Sequence, residues 1–209
     1  MRWIVLATLM VPASEWEVRE IEGWTVKVHR DVANPDAVRL LETRLQDIVR
    51  LVPAPAVAEL RRVPIWLGTA GIAQYHPDRG WLEKNGHDPE KAKAVDLGSA
   101  GDFVRETKRQ PFMVLHELAH AYHDRVLGFD HPRVRAAYDG AVKDGKYESV
   151  LFWDGRKVRH YALKDHKEYF AEGTEAYFGT NDFYPFVRAE LRLHDPALVD
   201  ALEAVWGVK

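Results

Sequence analysis

His116, Glu117 and His120 are the residues whose types and spacing most directly suggest chemistry. On a helix, residues four apart project about 40° from one another, one turn up, so two such histidines can hold a single metal ion. A glutamate next to the first histidine reaches the open side of that ion, where it can take a proton from an activated water. This is the H-E-x-x-H arrangement. Its chemistry is metal-assisted hydrolysis, with Zn²⁺ as the expected ion and Glu117 as the base.

The chain has 209 residues and 10 histidines, so the pattern can arise by chance and must be judged by its context. Phe112, Val114, Leu115, Leu118 and Ala119 give the segment an apolar face. Pro111 suits a first helical turn and Gly128 a C-terminal stop, which predicts a helix over about 111–127. The competing reading is a pair of surface histidines on an amphipathic helix.

A catalytic zinc site needs a third protein ligand and one open position. The extended pattern with a third histidine fails, because His123 stands where glycine belongs and Val126 where histidine belongs. His123 is expected to sit behind the ligands or on the surface. Glu168 is the preferred third ligand. It lies four residues before Glu172 in a largely apolar stretch with Tyr169, Phe170, Ala171, Tyr177 and Phe178, where two glutamates need a partner. One carboxylate can bind the metal while Glu172 accepts the spare N–H of a ligand histidine. Asp182, in Gly179-Thr180-Asn181-Asp182, is the alternative ligand, though a helix cap and polar turn is the simpler reading there.

The bulk composition limits the partners. There is no cysteine, which excludes disulfides, thiolate zinc sites and cysteine nucleophiles. A formal net charge of -3 gives no basic excess for nucleic acid. The apolar run Trp3–Val11 is too short to span a bilayer. Followed by Pro12, Ala13 and Ser14, it reads as a short export signal over 1–13, a buried strand being the alternative, with one domain over 14–209.

Other elements must position these residues. Alternating apolar positions from Trp16 to Val28 around Glu22-Gly23 predict a hairpin. Asn34-Pro35 opens a helix to about Val52. A strand is expected at Val63–Leu67, and a short one at Ala94–Leu97 within a turn-rich stretch from 71 to 110. Helices are predicted at Pro132–Lys143, Asp165–Phe178, Pro185–His194 and Pro196–Val205, with a hairpin around Asp154-Gly155. Strands come mostly first and helices mostly last, so the class is α+β.

His116-Glu117-x-x-His120, followed much later by Glu168-x-Phe170-Ala171-Glu172, resembles the glutamate zincins, or gluzincins. Within them it is most similar to the catalytic domain of anthrax lethal factor and its bacterial relatives, over roughly residues 110–180. The resemblance implies a zincin-like metallopeptidase fold, with a small N-terminal sheet, an active-site helix and a C-terminal helical part. It also implies that Glu168 binds zinc and that Tyr161, seven residues earlier, assists the transition state. Independently, a phenol on the approach to the glutamate helix can donate to a developing oxyanion, the alternative being an ordinary strand aromatic. Family members place an edge strand over the metal, for which Ala94–Leu97 is the candidate here. The loop from Gln74 to Gly86, with Tyr75, His76 and Trp81, is either a cleft wall or an irregular surface segment.

The expectation is therefore a zinc-dependent peptidase acting on a peptide or protein through a metal-activated water. Two alternatives are a zinc hydrolase acting on a non-peptide amide such as cell-wall material, and an inactive, zinc-stabilised binding module.

Overall fold

The computed structural model describes residues 14–32 and 34–208. The export signal expected over 1–13 lies outside them. The α+β expectation holds: a small N-terminal sheet precedes a largely helical second half.

Strands β1 (Trp16–Ile21) and β2 (Trp24–His29) form the predicted hairpin, with Trp16 opposite His29 and Ile21 opposite Trp24. Glu22 and Gly23 both adopt positive φ, 51° and 84°, the backbone that a tight two-residue hairpin turn requires. Helix α1 (Pro35–Leu51) starts where Asn34 accepts a hydrogen bond from the Asp36 amide. It buries Ala37, Leu41, Leu45 and Ile48 at the three- and four-residue spacing of one helical face. Helix α2 (Ala54–Leu60) then leads into β3 (Ile65–Gly68), which lies parallel to β2.

The next segment departs from expectation. Gln74–Tyr75 is strand β4, and Arg79–Lys84 is helix α3. Val95–Ser99 is β5, parallel to β3 and antiparallel to β4, in the sheet order β1-β2-β3-β5-β4. Ala94–Leu97 is therefore not the edge strand. Its apolar residues are buried, and β4 covers its outer side. Gly98 makes this possible. At φ 64° it lets the Gly71–Ile72 backbone pass so closely that a Cβ at Gly98 would collide with it.

Helix α4 (Ala100–Glu106), capped by Ser99, precedes α5 (Met113–Tyr122), which carries the histidines. Beyond Tyr122 the helix widens into a π-turn at His123–Leu127 and stops at Gly128. Helix α6 (Pro132–Lys143) and a short hairpin of β6 (Val150–Leu151) and β7 (Lys157–Val158) follow. Helix α7 (His166–Phe178) is capped by Asp165, which accepts from the amides of Lys167 and Glu168. The chain ends with α8 (Arg188–His194) and α9 (Pro196–Trp206).

Helices α5 and α7 form the centre of the helical half. Trp206 of α9 stacks on Tyr122, ring centroids 4.2 Å apart, and its indole N–H donates to Thr174 of α7 at 3.2 Å. Leu115 and Leu118 of α5 are fully buried. Each such side chain contributes roughly 2 kcal/mol on leaving water. Apolar packing thus fixes α5 before any ligand acts. Among the described residues no helix is long and apolar enough to cross a membrane.

Candidate metal centre

His116 and His120 project from α5 toward Glu168 in the first turn of α7. Three atoms meet there. His116 Nε2 lies 3.1 Å from His120 Nε2, and each lies 3.2 Å from Glu168 Oε2. Ligands about 2.0–2.1 Å from a tetrahedral ion stand roughly 3.3 Å apart, so this triangle has the size of one face of a zinc coordination shell.

The donor set also fits a cation. His116 Nδ1 is 2.7 Å from Glu175 Oε1, an oxygen that also accepts from the Gln110 amide. The proton therefore belongs on Nδ1, which leaves the Nε2 lone pair facing Glu168 Oε2. Two electron-rich atoms at that distance need a positive charge between or upon them. Burial opposes a proton on His116, but Glu168 and Glu175 raise it well above the ordinary histidine range. Burial favours a neutral Glu168, yet the two imidazoles hold it far below the ordinary carboxylate range.

The expected role of Glu172, to accept the spare N–H of a histidine of this group, falls to Glu175 at His116. Glu172 Oε1 is 3.9 Å from His116 Nδ1, whereas Glu175 makes the hydrogen bond. Helix phase explains the difference. Seven residues bring Glu175 within about 20° of Glu168, so the two can grip opposite sides of one imidazole. Gln110 donates to the same Glu175 oxygen at 2.7 Å. Glu172 instead accepts from Asn181 Nδ2 at 2.6 Å, and burial and the nearby Glu175 push it well above the usual carboxylate range. The phase relation of Glu175 to Glu168 was present in the sequence and would have identified it.

Glu117 is buried and borders a cavity of about 830 Å³, together with His116, His120 and Glu168. Burial raises its pKa, while the two imidazoles and the Tyr75 backbone N–H pull it down. The cleft wall opposite α5 includes Gln74 and Tyr75 of the edge strand β4, with His76 and Trp81 beside them. The segment from Gln74 is thus a cleft wall, not a detached loop. Tyr75 is tied to the start of the π-turn, its hydroxyl donating to Asp124 at 2.6 Å.

Tyr161 opens a one-turn 3₁₀ helix (Tyr161–Leu163) on the cleft wall and is 43% exposed, so its phenol is accessible. Lys164, which sequence reasoning passed over, joins it to the triangle. Its Nζ donates to Tyr161 Oη and to Glu168 Oε1, each at 2.7 Å. Burial opposes the lysine charge, but Glu168 and Tyr161 keep it above the ordinary lysine range.

Asp182 is in neither His/Glu cluster of ligand-like atoms among the described residues. It pairs with Arg109 Nη1 at 3.0 Å, and burial raises it to about 6. The turn after Gly179 is the polar turn that the simpler reading expected. His123 is neither on the surface nor hydrogen-bonded to a ligand. It is fully buried against Phe129 and Phe170 with no partner for either ring nitrogen.

No known protein family and no curated protein matches the chain. Among solved structures it is similar to the Pro-Pro endopeptidase PPEP-2 from Paenibacillus alvei, with a TM-score of 0.53 and 20% identity over 90% of this chain and 99% of that one. At that identity the likeness extends to the fold, which this chain shares with an endopeptidase.

Proposed function

We propose that this protein is a zinc-dependent metallopeptidase of the glutamate-zincin type. His116, His120 and Glu168 hold the ion, Glu117 is the general base, and a peptide is the substrate. The observation that carries the reading is the triangle of two imidazole nitrogens and one carboxylate oxygen, 3.1 to 3.2 Å on a side, beside a buried Glu117 at an open cleft. A purely structural ion has no use for that free carboxylate.

When bound, zinc supplies a Lewis acid that acidifies water and polarises the scissile carbonyl. The protein groups do the rest. Glu117 takes a proton from the attacking water and later delivers it to the leaving amine. Its burial suits the task, because a raised pKa makes the carboxylate a stronger base toward the proton of the attacking water. Tyr161 donates a hydrogen bond to the oxyanion as it forms. Glu175 keeps the His116 proton on Nδ1. The outer edge of β4 offers backbone groups to an extended peptide, which fixes the scissile bond over Glu117. The lethal-factor-like spacing of Tyr161, Glu168 and the histidines supports the same assignment.

The test is hydrolysis of a peptide library by the purified protein, with Pro-Pro sequences included because the structural neighbour is named for them. Cleavage that is lost with a chelator, restored by Zn²⁺ and absent in Glu117→Gln is the expected result. Cleavage that survives both treatments rules the proposal out.

A further inference from the structure

Lys164 is a cation inside the proposed active site to which none of the preceding chemistry assigns a task. It ends the Tyr161–Leu163 turn and stands four residues before Glu168, so one residue reaches both. An ammonium group is a donor only, with three N–H bonds. At 2.7 Å from Tyr161 Oη it must donate to the phenol oxygen, so the phenol hydrogen is directed away from Lys164, toward the Glu168 side of the cleft. At 2.7 Å from Glu168 Oε1 it occupies the oxygen that does not face the histidines. Its Nζ also sits 4.9 Å from the Tyr161 ring centroid, holding the ring in place. The side chain remains 53% exposed, which is costly to immobilise unless both contacts are used.

We propose that Lys164 is a positioning residue that sets two groups at once: it turns the Tyr161 phenol into a directed donor and restricts Glu168 to one oxygen for the metal ion. The inference rests on the metallopeptidase reading for its first half and on the ligand set alone for its second. A structural lysine would stabilise the fold without affecting either group.

The experiment compares full-length wild type, Lys164→Met and Lys164→Arg as apo-proteins titrated with Co²⁺, and then assays the zinc forms. With Lys164→Met, one equivalent of Co²⁺ still binds, at least as tightly as in wild type, because a nearby positive charge is gone. The visible bands weaken as the freed Glu168 oxygen raises the coordination number. Turnover falls by about 10²- to 10³-fold with KM within about twofold, the size expected when one oxyanion donor is lost. Adding Tyr161→Phe to Lys164→Met causes no further loss, and Lys164→Arg keeps the wild-type Co²⁺ bands. Unchanged bands in Lys164→Met, weaker Co²⁺ binding, or a loss that multiplies with that of Tyr161→Phe would each overturn the proposal. If the wild type cleaves no peptide but the Co²⁺ bands change as described, the peptidase reading fails and the role of Lys164 at Glu168 stands. Far-UV circular dichroism checks that each variant is folded.

Discussion

His116 Nδ1 lies 2.7 Å from Glu175 Oε1, so one imidazole is held between Glu175 on one side and Glu168 on the other, both from α7. Removing Glu175 leaves a buried N–H without an acceptor and lets the ring and its tautomer vary. For Glu175→Ala, zinc affinity measured by chelator competition should fall about 10- to 100-fold. Glu172→Gln should leave it nearly unchanged, since Glu172 lies 3.9 Å from His116 Nδ1 and accepts from Asn181 instead. Equal losses in the two variants would contradict the assignment.

Glu117 and His116 are adjacent in sequence but have separable tasks. Glu117→Gln should retain one zinc per chain by elemental analysis and lose turnover by about 10² to 10⁴. His116→Ala should lose both. A zinc-free Glu117→Gln protein would move Glu117 from base to ligand.

His123 makes stability pH-dependent in a defined direction. Burial, with help from His166, lowers its pKa from the ordinary 6.5 to about 3. Between those values the unfolded state binds more protons, so stability falls as pH drops through that window. At pH 5 the cost is about 2 kcal/mol relative to pH 7. His123→Phe removes two unpartnered ring nitrogens. Urea denaturation of the variant should show a loss between pH 7 and pH 5 that is smaller by about that amount, with little change at pH 7.

Gly179 ends α7 against the ring of Phe112, which precedes α5, and a Cβ there would overlap that ring. Gly179→Ala should destabilise the protein by about 1–3 kcal/mol through overpacking. Phe112→Leu combined with Gly179→Ala should recover part of the urea midpoint, and no recovery would mean that the strain lies elsewhere.

Local signals in the chain foretold the elements that depend on local chemistry. Asn34-Pro35 marked the start of α1, Glu22-Gly23 the first hairpin, and Asp165 the start of α7. The pairing of His116 with His120 was readable because a helix places side chains four residues apart on one face, and Glu168 because a carboxylate in an apolar helix needs a partner. Pairing across the sheet was not. Whether Val95–Leu97 or Gln74–Tyr75 forms the edge depends on which strand pairs with β3, and a two-residue strand carries almost no periodicity. The burial of His123 was not readable either, because one of the rings that cover it, Phe170, belongs to a helix that lies far along the chain. Lys164 was missed because nothing in a lysine's neighbours along the chain announces that it will reach a tyrosine and a glutamate together.

His120 and Glu168 stand 48 residues apart in sequence. In a chain without cysteine, an ion shared by these residues acts as the cross-link that a disulfide would otherwise supply. Closing a loop of that length restricts the unfolded chain by about 4 kcal/mol in the chain-entropy account. The segment between the two, with α6 and the β6–β7 hairpin, is the part that such a clasp restrains. Chelation then acts as a mechanical release as well as a chemical one, and proteolytic nicking after metal removal should begin within that span.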